Sequence, residues 1–206
     1  MCIRDRHYFK EEWVDNGVEQ DWPSLTKIYK ASNSLIGATM WHPFDHQRGY
    51  HPDPFWGGIM DAYRQPKFSY YLLKSLMPSS GLENVPNVDA EPFVFIAHLM
   101  TPFSPEDVVV FTNCDEVRLY AYDKEIGTMK STSSASPVPR IPVVFKNIYR
   151  YVDARNKNKK DYGKINQKYN KNATLRAEGI IKGEVVAEHV RWPVGRKHGI
   201  ILKVDH

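Results

Sequence analysis

The feature that most limits the fold of this chain is a change of pattern after residue 92. From there to residue 206, short apolar segments alternate with turn-forming residues, and no segment shows a helical period. The predicted strands cover residues 93–100, 108–112, 117–122, 142–149, 173–179, 185–192 and 200–204, and residues 123–125 are predicted to form a turn. A series of short strands of this kind is typical of an immunoglobulin-like β-sandwich.

A different pattern precedes this region. Residues 34–41 form a continuous small and apolar run of strand length, which suits a strand buried on both faces of a parallel sheet. A loop follows, and Gln65-Pro66 then opens a helix whose apolar face contains Phe68, Tyr71, Leu72, Ser75 and Leu76, with Pro78 ending it. Strand, loop and helix together make one βα unit.

A second helix is predicted near the start of the chain. Pro23 stands where a first helical turn tolerates proline, and Leu25, Ile28 and Tyr29 fall on one helical face. Between the two regions, residues 79–92 are rich in Pro, Ser, Gly and Asn, which indicates a linker.

The charge of the chain gives little support for a nucleic-acid partner. The formal net charge is +4, but the segment from Arg150 to Thr174 has eight Lys or Arg and two Asp, so the remainder carries −2. A single polar run rich in Asn and Lys is usually a solvated loop. No stretch approaches the roughly 18 consecutive apolar residues of a membrane span, and no Gly-rich phosphate loop indicates a nucleotide cofactor. We therefore expect neither nucleic acid, membrane nor cofactor as a partner.

The residues with chemical potential are concentrated between positions 41 and 58. Five aromatic rings lie there among histidines, aspartates and an arginine: Trp41, Phe44, Tyr50, Phe55 and Trp56 with His42, His46, His51, Asp45, Asp53 and Arg48. Rings beside carboxylates and donors suit a sugar, because its apolar face stacks on an indole while its hydroxyls accept and donate hydrogen bonds. In the alternative interpretation, the rings only fill a barrel mouth and Asp45 pairs with Arg48 for structure.

The same loop raises the question of a metal. His42 and His46 would share a helical face, but Pro43, Pro52 and Pro54 argue against a helix there. We predict no metal site. Cys114 lies in an apolar neighbourhood and is predicted to be a buried small residue, not a nucleophile.

The stretch WHPFDHQRGYHPDPFWGGIMDAYRQPKFSYY, residues 41–71, resembles the end of the catalytic barrel in glycoside hydrolase family 2, the beta-galactosidase family. In that family the eighth strand delivers a Trp to the sugar site, and an Arg-x-Pro-Lys element opens the last helix. FTNCDEVRLY, residues 111–120, resembles a strand pair of the immunoglobulin-like domain that follows the barrel in many members. The resemblance extends over roughly residues 20 to 206.

The resemblance implies an α+β chain in two parts. Residues 1–78 would be the last βα unit or units of a (β/α)8 barrel, and residues 93–206 the all-β immunoglobulin-like sandwich. A lone barrel strand lacks parallel neighbours, so we expect residues 1–78 to be poorly anchored, docking at best against the sandwich.

The resemblance also implies retaining hydrolysis of a β-glycoside by two glutamates. The family's acid/base follows an Asn, and this sequence contains no Asn-Glu pair; Glu11, Glu12 and Glu19 lie in a polar stretch and are poor candidates for the nucleophile. We therefore assign no catalytic residue. Trp41 is expected to stack on the sugar, with Asp45, His46 and Arg48 as polar contacts to a β-linked oligosaccharide or polysaccharide.

The expected function is thus that of a C-terminal fragment of a β-galactoside or related β-glycoside hydrolase, inactive alone. The family suggests a bacterial periplasmic or extracellular location, with any signal peptide upstream. The alternative is a non-catalytic carbohydrate-binding or interaction module, in which the sandwich and its basic loop at residues 150–172 are the working part.

Overall fold

A computed structural model describes residues 21–31, 43–52, 54–82, 84–86, 88, 90–101, 104–150 and 173–193. Within these residues, two helices precede the strands, α1 (Asp21–Lys30) and α2 (Phe68–Lys74). Seven strands follow: β1 (Val94–Ala97), β2 (Val108–Thr112), β3 (Glu116–Ala121), β4 (Lys124–Lys130), β5 (Val143–Phe145), β6 (Leu175–Ile181) and β7 (Glu184–Arg191). None of the helices in these ranges is long and apolar enough to cross a membrane.

The strands form two antiparallel sheets packed face to face. One sheet has the order β1-β2-β5, and the other has the order β4-β3-β6-β7. Val117, Leu119 and Ala121 point into the space between them, while Arg118 and Tyr120 face outward. This arrangement is consistent with the predicted immunoglobulin-like sandwich. The fourth strand pairs with β3 and not with the sheet of β1.

The predicted strands agree with the observed ones except around β4. Residues 108–112 are strand β2 as predicted, and the strands predicted at 93–100 and 142–149 are shorter in the structure. The turn predicted at residues 123–125 is wrong, because Tyr122 and Asp123 form it in the left-handed conformation and Lys124 already begins β4. The strand predicted at residues 200–204 lies outside the described residues.

The core between the sheets is made mainly of aliphatic side chains, together with the rings of Phe145 and Tyr149. Fourteen buried residues form one cluster: Val94, Ile96, Met100, Val108, Val110, Val117, Leu119, Ala121, Val143, Phe145, Tyr149, Ala173, Leu175 and Ala177. Tyr149 is fully buried, and its hydroxyl donates a hydrogen bond to the carbonyl oxygen of Thr101 at 2.9 Å, which satisfies its polar end. Cys114 is buried as predicted.

The open edge of β1 is covered by side chains of β7. The amide of Ile96 donates to Nδ1 of His189 at 3.2 Å, and its carbonyl oxygen accepts from Nε of Arg191 at 3.2 Å. These bonds join one sheet to the other and satisfy the two backbone groups that Ile96 presents at the edge. Burial, together with the Arg191 charge, lowers the pKa of His189 to about 4.

A second histidine lies deeper in the sandwich. His98 accepts a hydrogen bond from the amide of Met100 at Nδ1, 3.0 Å, so Nε2 carries the proton and donates to the carbonyl of Pro105 at 2.9 Å. Desolvation lowers the pKa of His98 to about 4. His98 is therefore held in its neutral form.

Both helices pack on the outer face of the three-stranded sheet. Leu25, Phe68 and Leu72 form a second buried cluster with residues of β1 and β2, which are Phe95, Ala97, Val109 and Phe111. The ring of Tyr71 stacks on Phe95 at 3.5 Å between centroids. The helix after the aromatic region is thus fixed directly to the sandwich.

The two predicted helices are present, but α2 is shorter than predicted, with Ser75 and Leu76 beyond its last residue, and part of the predicted apolar face of α1 is exposed. Helix α2 begins at Phe68, after Lys67 as N-cap, and buries Phe68, Ser69 and Leu72. In α1 only Leu25 of the predicted apolar face is buried, whereas Ile28 and Tyr29 are exposed. The apolar run at residues 34–41, predicted as a strand, lies outside the described residues.

Candidate functional site

The site is built on a loop whose two ends are held together by backbone hydrogen bonds. We call residues 43–58 the aromatic loop. The amide of Asp45 donates to the carbonyl of Met60 at 3.0 Å, and the amide of Met60 donates to the carbonyl of Pro43 at 2.9 Å. His46 and Phe55 exchange two further hydrogen bonds at 3.1 and 2.8 Å. The described residues between His46 and Phe55 therefore form the tip of the loop.

A buried ion pair lies beneath this closure. Oδ1 of Asp45 accepts hydrogen bonds from Nζ of Lys67 at 2.9 Å and from the amide of Gly58 at 3.0 Å. The side chains of Asp45 and Lys67 are 2% and 12% exposed. Nζ of Lys67 also donates to the carbonyl of Trp56 at 2.8 Å. The start of the loop, its end and the residue that precedes α2 thus meet at one charge pair.

Gly58 allows this close approach. A Cβ at Gly58 would lie 2.3 Å from the backbone nitrogen of Asp45 and 2.3 Å from the carbonyl carbon of Phe44. Both are backbone atoms and cannot rotate away, so only glycine fits here. The Gly57-Gly58 pair is therefore explained by packing of the loop against itself.

The tip of the loop presents polar and aromatic groups to solvent. Nη2 of Arg48 donates to Nδ1 of His51 at 3.3 Å, and the Arg48 guanidinium lies 5.9 Å from the centroid of the Phe55 ring. The ring of His46 is 5.4 Å from Phe55. His46 is exposed, Arg48 is half-buried, and Tyr50 is 87% exposed. These groups can donate and accept hydrogen bonds and stack against a ligand ring.

A tight turn at residues 61–65 supports the loop from the other side. Oδ1 of Asp61 accepts hydrogen bonds from the amides of Tyr63 and Gln65 at 2.8 and 2.9 Å. Arg64 adopts a positive φ of 68°, and its guanidinium lies 3.5 Å from the centroid of the Phe44 ring. The turn thereby covers one side of the loop's first ring.

The structure places three of the four predicted sugar contacts. Asp45, His46 and Arg48 are neighbours in the aromatic loop, but Asp45 is buried while His46 and Arg48 lie at the tip. Trp41 lies outside the described residues, as do His42 and Asp53. The alternative pairing of Asp45 with Arg48 is wrong, because the partner of Asp45 is Lys67.

Sequence reasoning missed the role of Lys67. It is separated from Asp45 by 22 positions, and no local pattern links two charges at that distance in the chain. The only signal was its place in the Arg-x-Pro-Lys element before α2.

In the parts of the chain that the structure describes, no three His, Cys, Asp or Glu residues approach closely enough to hold a metal ion. The histidine pair that raised the question of a metal includes His42, which lies outside the described residues.

Comparison with known proteins finds that this chain is similar to a beta-galactosidase. The beta-galactosidase of Thermoanaerobacter pseudethanolicus (strain ATCC 33223 / 39E) is 29% identical over 184 residues, which are 84% of this chain and 22% of that protein. This match confirms the resemblance inferred from the sequence. No protein-family profile matches the chain.

One solved structure supports the fold. A beta-glucuronidase of Bacteroides uniformis superposes with a TM-score of 0.53 at 16% identity, over 84% of this chain and 18% of that one. A beta-glycosidase from Bacteroides vulgatus has a TM-score of 0.49 at 21% identity, over 77% of this chain and 16% of that one. At these identities the likeness concerns the fold alone. The chain spans about a fifth of the length of the relatives that it matches.

Proposed function

We propose that this chain is the part of a retaining family 2 glycoside hydrolase that comprises the end of the catalytic barrel and the following sandwich. Its substrates are β-galactosides or related β-glycosides. The observation that carries this proposal is the match to a beta-galactosidase along 84% of the chain. The packing of α2 on the sandwich supports this proposal, because the last helix of a barrel would contact the following domain at such a junction.

The aromatic loop contributes the sugar contacts in this proposal. Trp41, four residues before Asp45, stacks on the apolar face of the sugar, and His46 and Arg48 bind its hydroxyls. Their position supports these roles, since both side chains lie at the solvent-facing tip beside the ring of Phe55. Asp45 belongs to the same site, although its carboxylate faces Lys67.

The chain alone does not hydrolyse glycosides in this proposal. Retaining hydrolysis requires an acid/base and a nucleophilic carboxylate roughly 5 Å apart. The described acidic side chains of the loop region, Asp45 and Asp61, are both engaged with backbone amides, and Asp45 also with Lys67. The two catalytic glutamates would come from other parts of the enzyme, and this segment supplies binding.

A pair of tryptophan variants tests the proposal. The chain is titrated with phenyl β-D-thiogalactoside, and its rate on p-nitrophenyl β-D-galactoside is measured in parallel. We expect saturable binding that Trp41→Ala weakens by about tenfold, because an aromatic stacking contact is lost. Trp192→Ala removes an exposed indole at the end of β7 and is expected to leave binding unchanged.

Three results would contradict the proposal. The unmodified chain could fail to bind the thiogalactoside, or Trp192→Ala could weaken binding as much as Trp41→Ala. Hydrolysis by the chain alone would also contradict it, since that would require catalytic carboxylates within these 206 residues.

A further inference from the structure

The position of Asp45 does not suit direct contact with a sugar. Its side chain is 2% exposed in this chain alone, and any additional protein packed around the site can only reduce that fraction. The side chain also accepts two hydrogen bonds through Oδ1, from Lys67 and Gly58. A ligand hydroxyl would have to displace the loop to reach it.

Asp45 and Lys67 depend on each other for burial. A charge removed from water is tolerated when it is paired and hydrogen-bonded, and loss of one partner leaves the other uncompensated. Without Asp45, Nζ of Lys67 keeps its hydrogen bond to the carbonyl of Trp56 but loses its carboxylate; without Lys67, Asp45 keeps the Gly58 amide but loses its cation. Loss of either charge therefore disturbs the same three backbone segments, which are those at Asp45, at residues 56–58 and at Lys67.

The pair connects the loop to a fixed element. Lys67 is the N-cap residue of α2, and α2 is held on the sandwich by Phe68 and Leu72. Asp45 immediately precedes His46 and stands four residues after Trp41. The ion pair thus holds the immediate neighbours of Asp45, Phe44 and His46, in place relative to α2.

We infer that Asp45 and Lys67 are positioning residues, which hold the aromatic loop against the start of α2 and act on sugar binding only through this ion pair. The effect on sugar binding rests on the proposed function, whereas the role of the ion pair in holding the loop does not.

A double-mutant cycle tests the inference on the full chain. Asp45→Asn keeps an oxygen for the Gly58 amide, and Lys67→Met keeps the apolar stem of the side chain. Hydrogen exchange at the amides of Asp45, His46 and Met60 is expected to accelerate by about a hundredfold in each single variant. In the double variant it is expected to be no faster than in the faster single variant, because both charges are then absent.

Affinity for phenyl β-D-thiogalactoside is measured on the same proteins. The affinity losses of the two single variants are expected not to multiply in the double variant. Lys67→Arg, which keeps the charge, is expected to retain most of the affinity and slow exchange. A sugar-contacting Asp45 would instead give losses that multiply and an Asp45→Asn variant with unchanged exchange.

Asp61→Asn is the matched control. Asp61 also accepts two backbone hydrogen bonds in this segment, but no described lysine pairs with it. The effects of Asp61→Asn on affinity and on exchange rate are expected to multiply with those of Lys67→Met. Slow exchange at Leu119 and Ala177 reports that each variant keeps its sandwich.

The positioning role of the ion pair and the proposed function can be contradicted separately. Unchanged loop exchange in Asp45→Asn or Lys67→Met overturns the positioning pair, whatever the sugar does. Absence of binding by the unmodified chain refutes the proposed function, and the exchange data then decide the pair alone.

Discussion

The sandwich and the aromatic loop are stabilised in different ways. In the sandwich, continuous ladders of backbone hydrogen bonds enclose a core of fully buried aliphatic side chains, so each residue is supported by many others. In the loop, the described contacts are isolated bridges and the Asp45–Lys67 ion pair, and its described apolar side chains are not fully buried. The sandwich should therefore unfold as one unit, whereas the loop should open without unfolding the sandwich.

The largest effect is expected from a cavity in the sandwich core. Leu119→Ala removes a fully buried side chain and should lower the free energy of unfolding by about 3 kcal/mol. Ile126→Ala, at a 38% exposed position of β4, should change it by less than about 0.5 kcal/mol. Urea unfolding monitored by circular dichroism measures both, and similar losses would show that β4 belongs to the same core.

Acid should weaken the sandwich through His98. Its pKa is about 4 when folded and about 6.5 when unfolded, so the unfolded state binds the proton first as the pH falls. The contribution of neutral His98 to the free energy of unfolding is complete above pH 6.5. As the pH falls from 6.5 to 4, up to about 3 kcal/mol of it is lost. Unfolding free energies measured across this range should therefore fall more steeply for the unmodified chain than for His98→Gln. Parallel pH profiles would contradict the neutral, buried state of His98.

A methyl group at Gly58 should disturb only the loop. Gly58→Ala forces a Cβ against the backbone of Asp45 and Phe44 and should cost about 1–3 kcal/mol locally. Amide exchange should accelerate at His46 and Met60 and stay slow in β3 and β6. Gln47→Ala, at an exposed position of the same loop, serves as the control. Faster exchange in the sandwich strands as well would mean that the two regions unfold together.

The smallest effect is expected from a single hydroxyl. Tyr149→Phe keeps the buried ring but removes the hydrogen bond to the carbonyl of Thr101. The free energy of unfolding should fall by about 1 kcal/mol. Thermal unfolding by calorimetry measures the change, and no decrease would show that this bond adds nothing to the core.

The same contrast explains what could be predicted from the sequence. Strands β2 and β3 were predictable because continuous or alternating apolar residues mark buried strands, and α2 because Phe68 and Leu72 recur at helical spacing. Strand β4 was missed because nearly all of its residues are exposed, so it has no buried face to produce alternation. It exists because β3 supplies its hydrogen-bonding partner.

The site was predictable only as a stretch of residue types. Rings and polar groups between positions 41 and 58 indicated a sugar, and these contacts stay a prediction. Which carboxylate would be buried depended on Lys67 and Gly58, whose contacts with Asp45 form only when the loop closes. Such contacts between distant residues leave no period in the sequence.

In the proposed function the sugar binds at the aromatic loop and not on the sandwich. Amide chemical shifts recorded during a titration with phenyl β-D-thiogalactoside distinguish these two locations. The proposal predicts saturable shifts confined to residues around the loop, including His46 and Arg48, with β3, β6 and β7 unchanged. Shifts centred on the sandwich strands, or none at all, would contradict it.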